Sequence, residues 1–153
     1  MSALAADVWQ ELRGAHAGQL AAVEIHAGMT AVADRHLLRI VLEKLIDNAL
    51  KFSAGEPGAR ITVRHEQVAG ETVFFIADNG AGFDMQQSAR LFGPFQRLHE
   101  ASRFAGTGSG LFVARSIVNR DGGRIWAEGI VKRGATFRFT IATWQEVGRA
   151  RNL

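Results

Sequence analysis

Three short stretches hold residues whose types and spacing suit chemistry. In Asp78-Asn79-Gly80-Ala81-Gly82-Phe83 an acid closes the apolar run Thr72-Val73-Phe74-Phe75-Ile76-Ala77, and two glycines follow it. A β-branched and aromatic run of that length reads as a buried strand, so the Asp78 carboxylate stands at a strand end facing a pocket. Glycine beyond it lets a ligand approach the main chain with no Cβ in the way. In the second stretch, Asn48 and Lys51 are three apart with Asp47 beside them, and project from one side of a helix. An amide oxygen can enter a hydrated magnesium shell, and an ammonium group can meet phosphate oxygens. In the third, Gly106-Thr107-Gly108-Ser109-Gly110-Leu111, alternate glycines ahead of a helix expose N–H groups where the helix dipole favours an anion. Each also has a plainer reading: a tight turn, a solvated helix edge and a flexible hinge. No Gly-Lys-Ser/Thr closes the third stretch, so it is not a P-loop, and its glycine spacing does not make a dinucleotide fingerprint.

The elements that must position these groups follow from periodicity. Leu4, Val8 and Leu12 recur at helical spacing, with Gly14 available to end the segment. Val23 and Ile25 alternate with polar residues and predict a half-buried strand. Asp34 is a fair N-cap for a long helix whose stripe, Leu37 through Leu50, turns one apolar face inward. That helix ends near Phe52-Ser53, before Gly55, Pro57 and Gly58. Ile61 and Val63 begin a strand, Gly70 marks a turn, and the strand leading to Asp78 completes a hairpin. From Gly82 to Phe104 periodicity is lost apart from a helical hint at Ser88 to Phe92, which predicts a long surface segment that can move. A second helix runs from Leu111 toward Gly122-Gly123. Two strands, Arg124 to Ala127 and Ala135 to Ile141, flank a turn at Lys132-Arg133-Gly134.

Composition narrows the class. The 153 residues, 47% hydrophobic and 22% charged, fit one globular domain with a real core. With no cysteine there are no disulfides, zinc-thiolate sites or thiol nucleophiles. The net charge of +3 is spread along the chain, which argues against nucleic-acid binding. No apolar run reaches the roughly 18 residues of a membrane span, and the start lacks the form of a secretory signal, so a cytoplasmic protein is expected.

Taken in order, Asp47-Asn48-Ala49-Leu50-Lys51-Phe52, Asp78-Asn79-Gly80-Ala81-Gly82-Phe83, Leu91-Phe92-Gly93-Pro94-Phe95-Gln96-Arg97-Leu98, Gly106-Thr107-Gly108-Ser109-Gly110-Leu111 and Gly134-Ala135-Thr136-Phe137 resemble the motif series of the ATP-binding catalytic domain of sensor histidine kinases, bacteriophytochrome-type members above all. The resemblance covers nearly the whole chain. It implies a Bergerat α/β two-layer sandwich, a mixed β-sheet covered on one face by about three helices, with a mobile lid. The domain would span 1–145, with the lid at about 83–106 and a polar tail at 146–153. Asp78 would accept the adenine amino group, Gly80 and Gly82 would line the base, and Thr136 would help through its hydroxyl. Asn48 would bind Mg2+, Lys51 would touch the phosphates, and Gly106, Thr107, Gly108, Gly110 and Leu111 would close over them. Phe92 and Phe95 match the lid's aromatic motif, and Arg97 and Arg103 are candidate lid cations.

Departures from the pattern are Lys44, where many members have a second Asn one helical turn before Asn48, and Ser109 and Phe112 in the glycine loop. None of the five histidines, His16, His26, His36, His65 and His99, sits in the acceptor motif of such kinases, and no dimerising hairpin precedes Leu4. The expected activity is therefore that of a catalytic domain. It would bind Mg-ATP and donate the γ-phosphoryl group to a histidine on a separate hairpin domain, upstream in the same protein or on another chain. A response regulator would act downstream, and this segment would be a monomer outside the membrane. A free-standing serine kinase of the anti-sigma-factor type and a nucleotide-gated interaction module without transferase activity are the alternatives.

Overall fold

A computed structural model describes residues 1–93 and 110–142. Five strands, β1 (Ala22–Ile25), β2 (Arg60–Val68), β3 (Glu71–Asp78), β4 (Ile125–Ile130) and β5 (Gly134–Phe139), form one sheet in the order β1-β2-β3-β5-β4. β1 runs parallel to β2 and the other neighbours are antiparallel, so the sheet is mixed. Three helices, α1 (Ser2–Ala15), α2 (Arg35–Ser53) and α3 (Gly110–Arg120), and a 3-10 segment at Met85–Arg90 accompany it. This is the Bergerat two-layer α/β architecture that the motif series implied.

α2 is the central helix because its sequence serves both end and face. The Asp34 side chain accepts the Leu37 amide at 3.0 Å and caps the first turn. Val41, Leu42, Leu45, Ile46, Ala49 and Leu50 recur every three or four residues and are all buried. Alternate sheet residues meet that stripe: Ile61, Val63, Phe74, Ile76, Phe137 and Phe139 share the same core. On the other face of the sheet the Arg64 and Arg138 guanidiniums lie over the Phe75 ring, 4.5 and 5.0 Å from its centroid. The β2–β3 turn has φ of +52° at Ala69 and +80° at Gly70, the two-residue geometry whose twist matches a hairpin.

Several boundaries differ from those expected. α1 runs through Gly14 to Ala15, and Gly110 and Leu111 begin α3 instead of belonging to a loop, with Leu111 in the core. The helical hint at Ser88 to Phe92 appears earlier, as the 3-10 segment, and β4 continues three residues past Ala127. The start of the segment expected at the surface is anchored instead. Phe83, Leu91 and Phe92 are buried, and the Phe83 and Phe92 rings lie 6.5 and 6.1 Å from that of Phe137. Gly129 makes this possible, since a Cβ there would meet the Phe83 ring at 2.6 Å. The rest of the expected lid, residues 94–106, and the tail from 146 lie outside the described residues. Among the described residues no helix is long and apolar enough to cross a membrane.

Candidate functional site

Asp78 closes β3 between Ile61 of β2 and Ala135 of β5. The side chain is buried, its relative exposure 9%. One oxygen, Oδ1, accepts the Gly80 amide at 2.9 Å, while Oδ2 is buried with no hydrogen-bond partner. Burial pushes the Asp78 carboxyl up from 3.8 to about 6, against the Gly80 hydrogen bond and the nearby Ala135 main chain, which favour the charged form. An open, buried acceptor costs free energy until a donor meets it. A donor that reached Oδ2 would satisfy it.

The loop after Asp78 is clamped on three sides. Asn79 accepts the Arg60 amide at 2.8 Å and donates to the Gly58 carbonyl at 3.0 Å. The Ala81 amide donates to the Phe52 carbonyl at the end of α2 (2.9 Å), and the Ala81 carbonyl accepts the Lys132 amide at 2.7 Å. Such close approach explains the glycines. A Cβ at Gly80 would collide with the Phe52 carbonyl, and one at Gly82, where φ is +62°, with the carbonyl of Ile130.

Phe52 lies one helical turn beyond Asn48, so α2 ties this loop to the second polar cluster. The Asn48 amide nitrogen is buried without a partner. Lys51, by contrast, is engaged: its ammonium is 2.7 Å from Asp47 Oδ2, and His16 Nε2 is 2.9 Å from Asp47 Oδ1. Burial alone would raise the Asp47 carboxyl, but the bonds to Lys51 and His16 outweigh it and hold the group below 3.8. Lys44 packs its stem toward Gly110, where an added Cβ would lie 3.6 Å from Lys44 Cδ. The start of α3 therefore faces the Asn48 side of α2. Among the described residues no group of three or more His, Asp and Glu side chains could hold a metal ion by itself.

Asp78, Gly80 and Gly82 lie together at one end, Asn48 and Lys51 stand on the polar side of α2, and Gly110 of α3 meets α2 at Lys44. The structure does not bring Thr136 to Asp78. Thr136 pairs with Ala77, and successive strand residues point to opposite faces, so its hydroxyl lies on the far side of the sheet. Ala135, with no hydroxyl, is the residue opposite Asp78. Phe92 and Leu111 are core residues here. Phe95, Arg97, Arg103, Gly106, Thr107 and Gly108 lie outside the described residues. His16 was not singled out in the sequence, because 31 residues separate it from Asp47 and no local spacing marks the pair.

A sandwich with an open acceptor at a strand end and a polar helix face beside a second helix terminus defines an ATPase-type nucleotide fold. Residues 33–145 match the family described as histidine kinase-, DNA gyrase B- and HSP90-like ATPases, and the chain belongs to that family. It is 41% identical over 112 residues to cyanobacterial phytochrome A of Nostoc, covering 73% of this chain and 14% of the phytochrome, so it spans about a seventh of that relative. The mycobacterial sensor histidine kinase MprB shares the fold, with a TM-score of 0.77 at 23% identity over 92% of this chain and 94% of that one. Full-length ShkA, solved in complex with AMPPNP, gives a TM-score of 0.71 at 25% identity, over 93% of this chain and 30% of that one.

Proposed function

We propose that the chain is a histidine kinase catalytic domain that binds Mg-ATP and donates the γ-phosphoryl group to a histidine on a separate phosphoacceptor hairpin. The observation that carries this reading is the open Oδ2 of Asp78. An adenine amino group is a donor that such an oxygen can accept, and the clamped turn would hold that oxygen in place. The phosphates would extend along α2 past Asn48 to the Gly110 end of α3, where helix N–H groups favour anions. Mg2+, when bound with the nucleotide, would neutralise phosphate charge, and the Asn48 amide is the group of this chain that would hold it. Phosphoryl transfer depends chiefly on positioning and charge neutralisation. This chain's part is to fix the base at Asp78 and to hold the phosphate chain in line for the acceptor imidazole.

The test is to mix the chain with a separate phosphoacceptor hairpin and γ-labelled ATP. Acid-labile, base-stable label on the hairpin is the expected outcome. Acid-stable label on another protein would instead support a serine kinase, and intact ATP binding with no label anywhere would support a nucleotide-gated interaction module. Membership of residues 33–145 in the family of histidine kinase-like ATPases supports the first outcome, and a response regulator would then be the downstream partner.

A further inference from the structure

Two lysines lie on the polar side of α2, and their surroundings are opposite. Lys44, Asn48 and Lys51 stand at i, i+4 and i+7, so all three project from one side of the helix. The ammonium of Lys51 is bound by Asp47 at 2.7 Å. Lys44 makes no ion pair with Asp47, three residues on, whose oxygens meet His16 and Lys51 instead. Among the described residues Lys44 has no acidic partner. Its stem rests toward Gly110 at the start of α3, and the unpartnered Asn48 amide lies one turn further along α2.

We propose that Lys44 is a cation that meets the phosphates of the bound nucleotide, and that it does so more strongly than Lys51. The inference rests on the nucleotide reading above. A lysine already neutralised by a carboxylate offers an incoming phosphate little net charge, because the phosphate must compete with Asp47. An unpaired ammonium beside a helix terminus meets no such competition, and the two positive ends reinforce one another. Lys51 has a further part, since with Asp47 and His16 it ties the C-terminal end of α1 to α2. The residue at 44 also changes what the site asks of the metal. An ammonium supplies in fixed form part of the positive charge that an amide ligand could only supply through Mg2+.

Calorimetric titration of this chain with ATP and with adenosine, each with Mg2+ and with a chelator, tests the assignment. Lys44→Gln should weaken ATP by about tenfold or more, the loss of one charge-assisted contact. Adenosine, which has no phosphate, should bind it as it binds the wild type, and Lys44→Arg should restore ATP binding. Lys51→Gln should lower the melting temperature and change the ratio of ATP to adenosine affinity less than Lys44→Gln does. Lys44→Asn should make ATP binding depend more steeply on Mg2+. A Lys44→Gln protein with the wild-type ratio, or a Lys51→Gln protein that alone loses it, overturns the assignment while leaving the base pocket standing. A wild-type chain that binds neither ATP nor adenosine overturns the nucleotide reading itself.

Discussion

Asp78 holds the Gly80 amide at 2.9 Å through one carboxylate oxygen and keeps the other buried and open. One side chain thereby does two things, fixing the turn that follows it and presenting an acceptor. The energetic consequence is visible in its acidity, raised from 3.8 to about 6 by burial.

That shift predicts opposite pH trends for stability and for binding. Between about pH 4 and 6 the folded protein holds a proton on Asp78 that the unfolded chain releases. Stability of the free protein therefore falls as pH rises through this window, by up to about 3 kcal/mol from this group. Nucleotide binding should run the other way, since the carboxylate is the stronger acceptor for the adenine amino group, and affinity should rise as pH passes through about 6. Urea denaturation and ATP titration across pH 4 to 8 check the pair of trends. Parallel trends, or an affinity flat across pH 6, would remove Asp78 from the base site.

Asp47 should behave in the reverse sense. Its carboxyl is held below 3.8, so its contribution is present at neutral pH and lost as pH falls below that value. Asp47→Asn should cost about 0.5–1 kcal/mol at pH 7, since the carboxylate is half-buried between Lys51 and His16 and solvent screens both contacts. The difference from wild type should shrink toward pH 3, measured by denaturant unfolding. A constant difference would mean that the two contacts do not bind the charged form.

Gly80→Ala tests the clamped turn. The added Cβ would strike the Phe52 main-chain carbonyl, which no side-chain rotation relieves. A loss of about 1–3 kcal/mol is expected, together with weaker ATP binding, as the turn backs away from α2. Thermal unfolding reports the first effect and titration the second. Wild-type stability would show that the turn is not held against α2.

Much of this was legible in the sequence because it is local. The Asp34 cap, the apolar stripe of α2 and the placement of Asp78 at a strand end each follow from a few neighbouring residues, and the structure shows all three. What stayed hidden depends on distant pairing. His16 meets Asp47 across 31 residues. Thr136 carries the right chemistry, but register with Ala77 turns it to the wrong face, and register is a property of two strands. Phe83 and Phe92 lie in a stretch without periodicity, so their burial against Phe137 could be read only once β4 and β5 were in place.

The base assignment is tested most directly by titrating Asp78→Asn with ATP alongside a thermal melt. Asparagine keeps the shape and can still accept the Gly80 amide, while its nitrogen turns the open acceptor into a donor facing the adenine amino group. It also removes a buried charge. The variant should melt no lower than wild type at pH 7 and bind ATP at least about tenfold more weakly. A well-folded Asp78→Asn protein with unchanged ATP affinity would contradict the placement of adenine at Asp78.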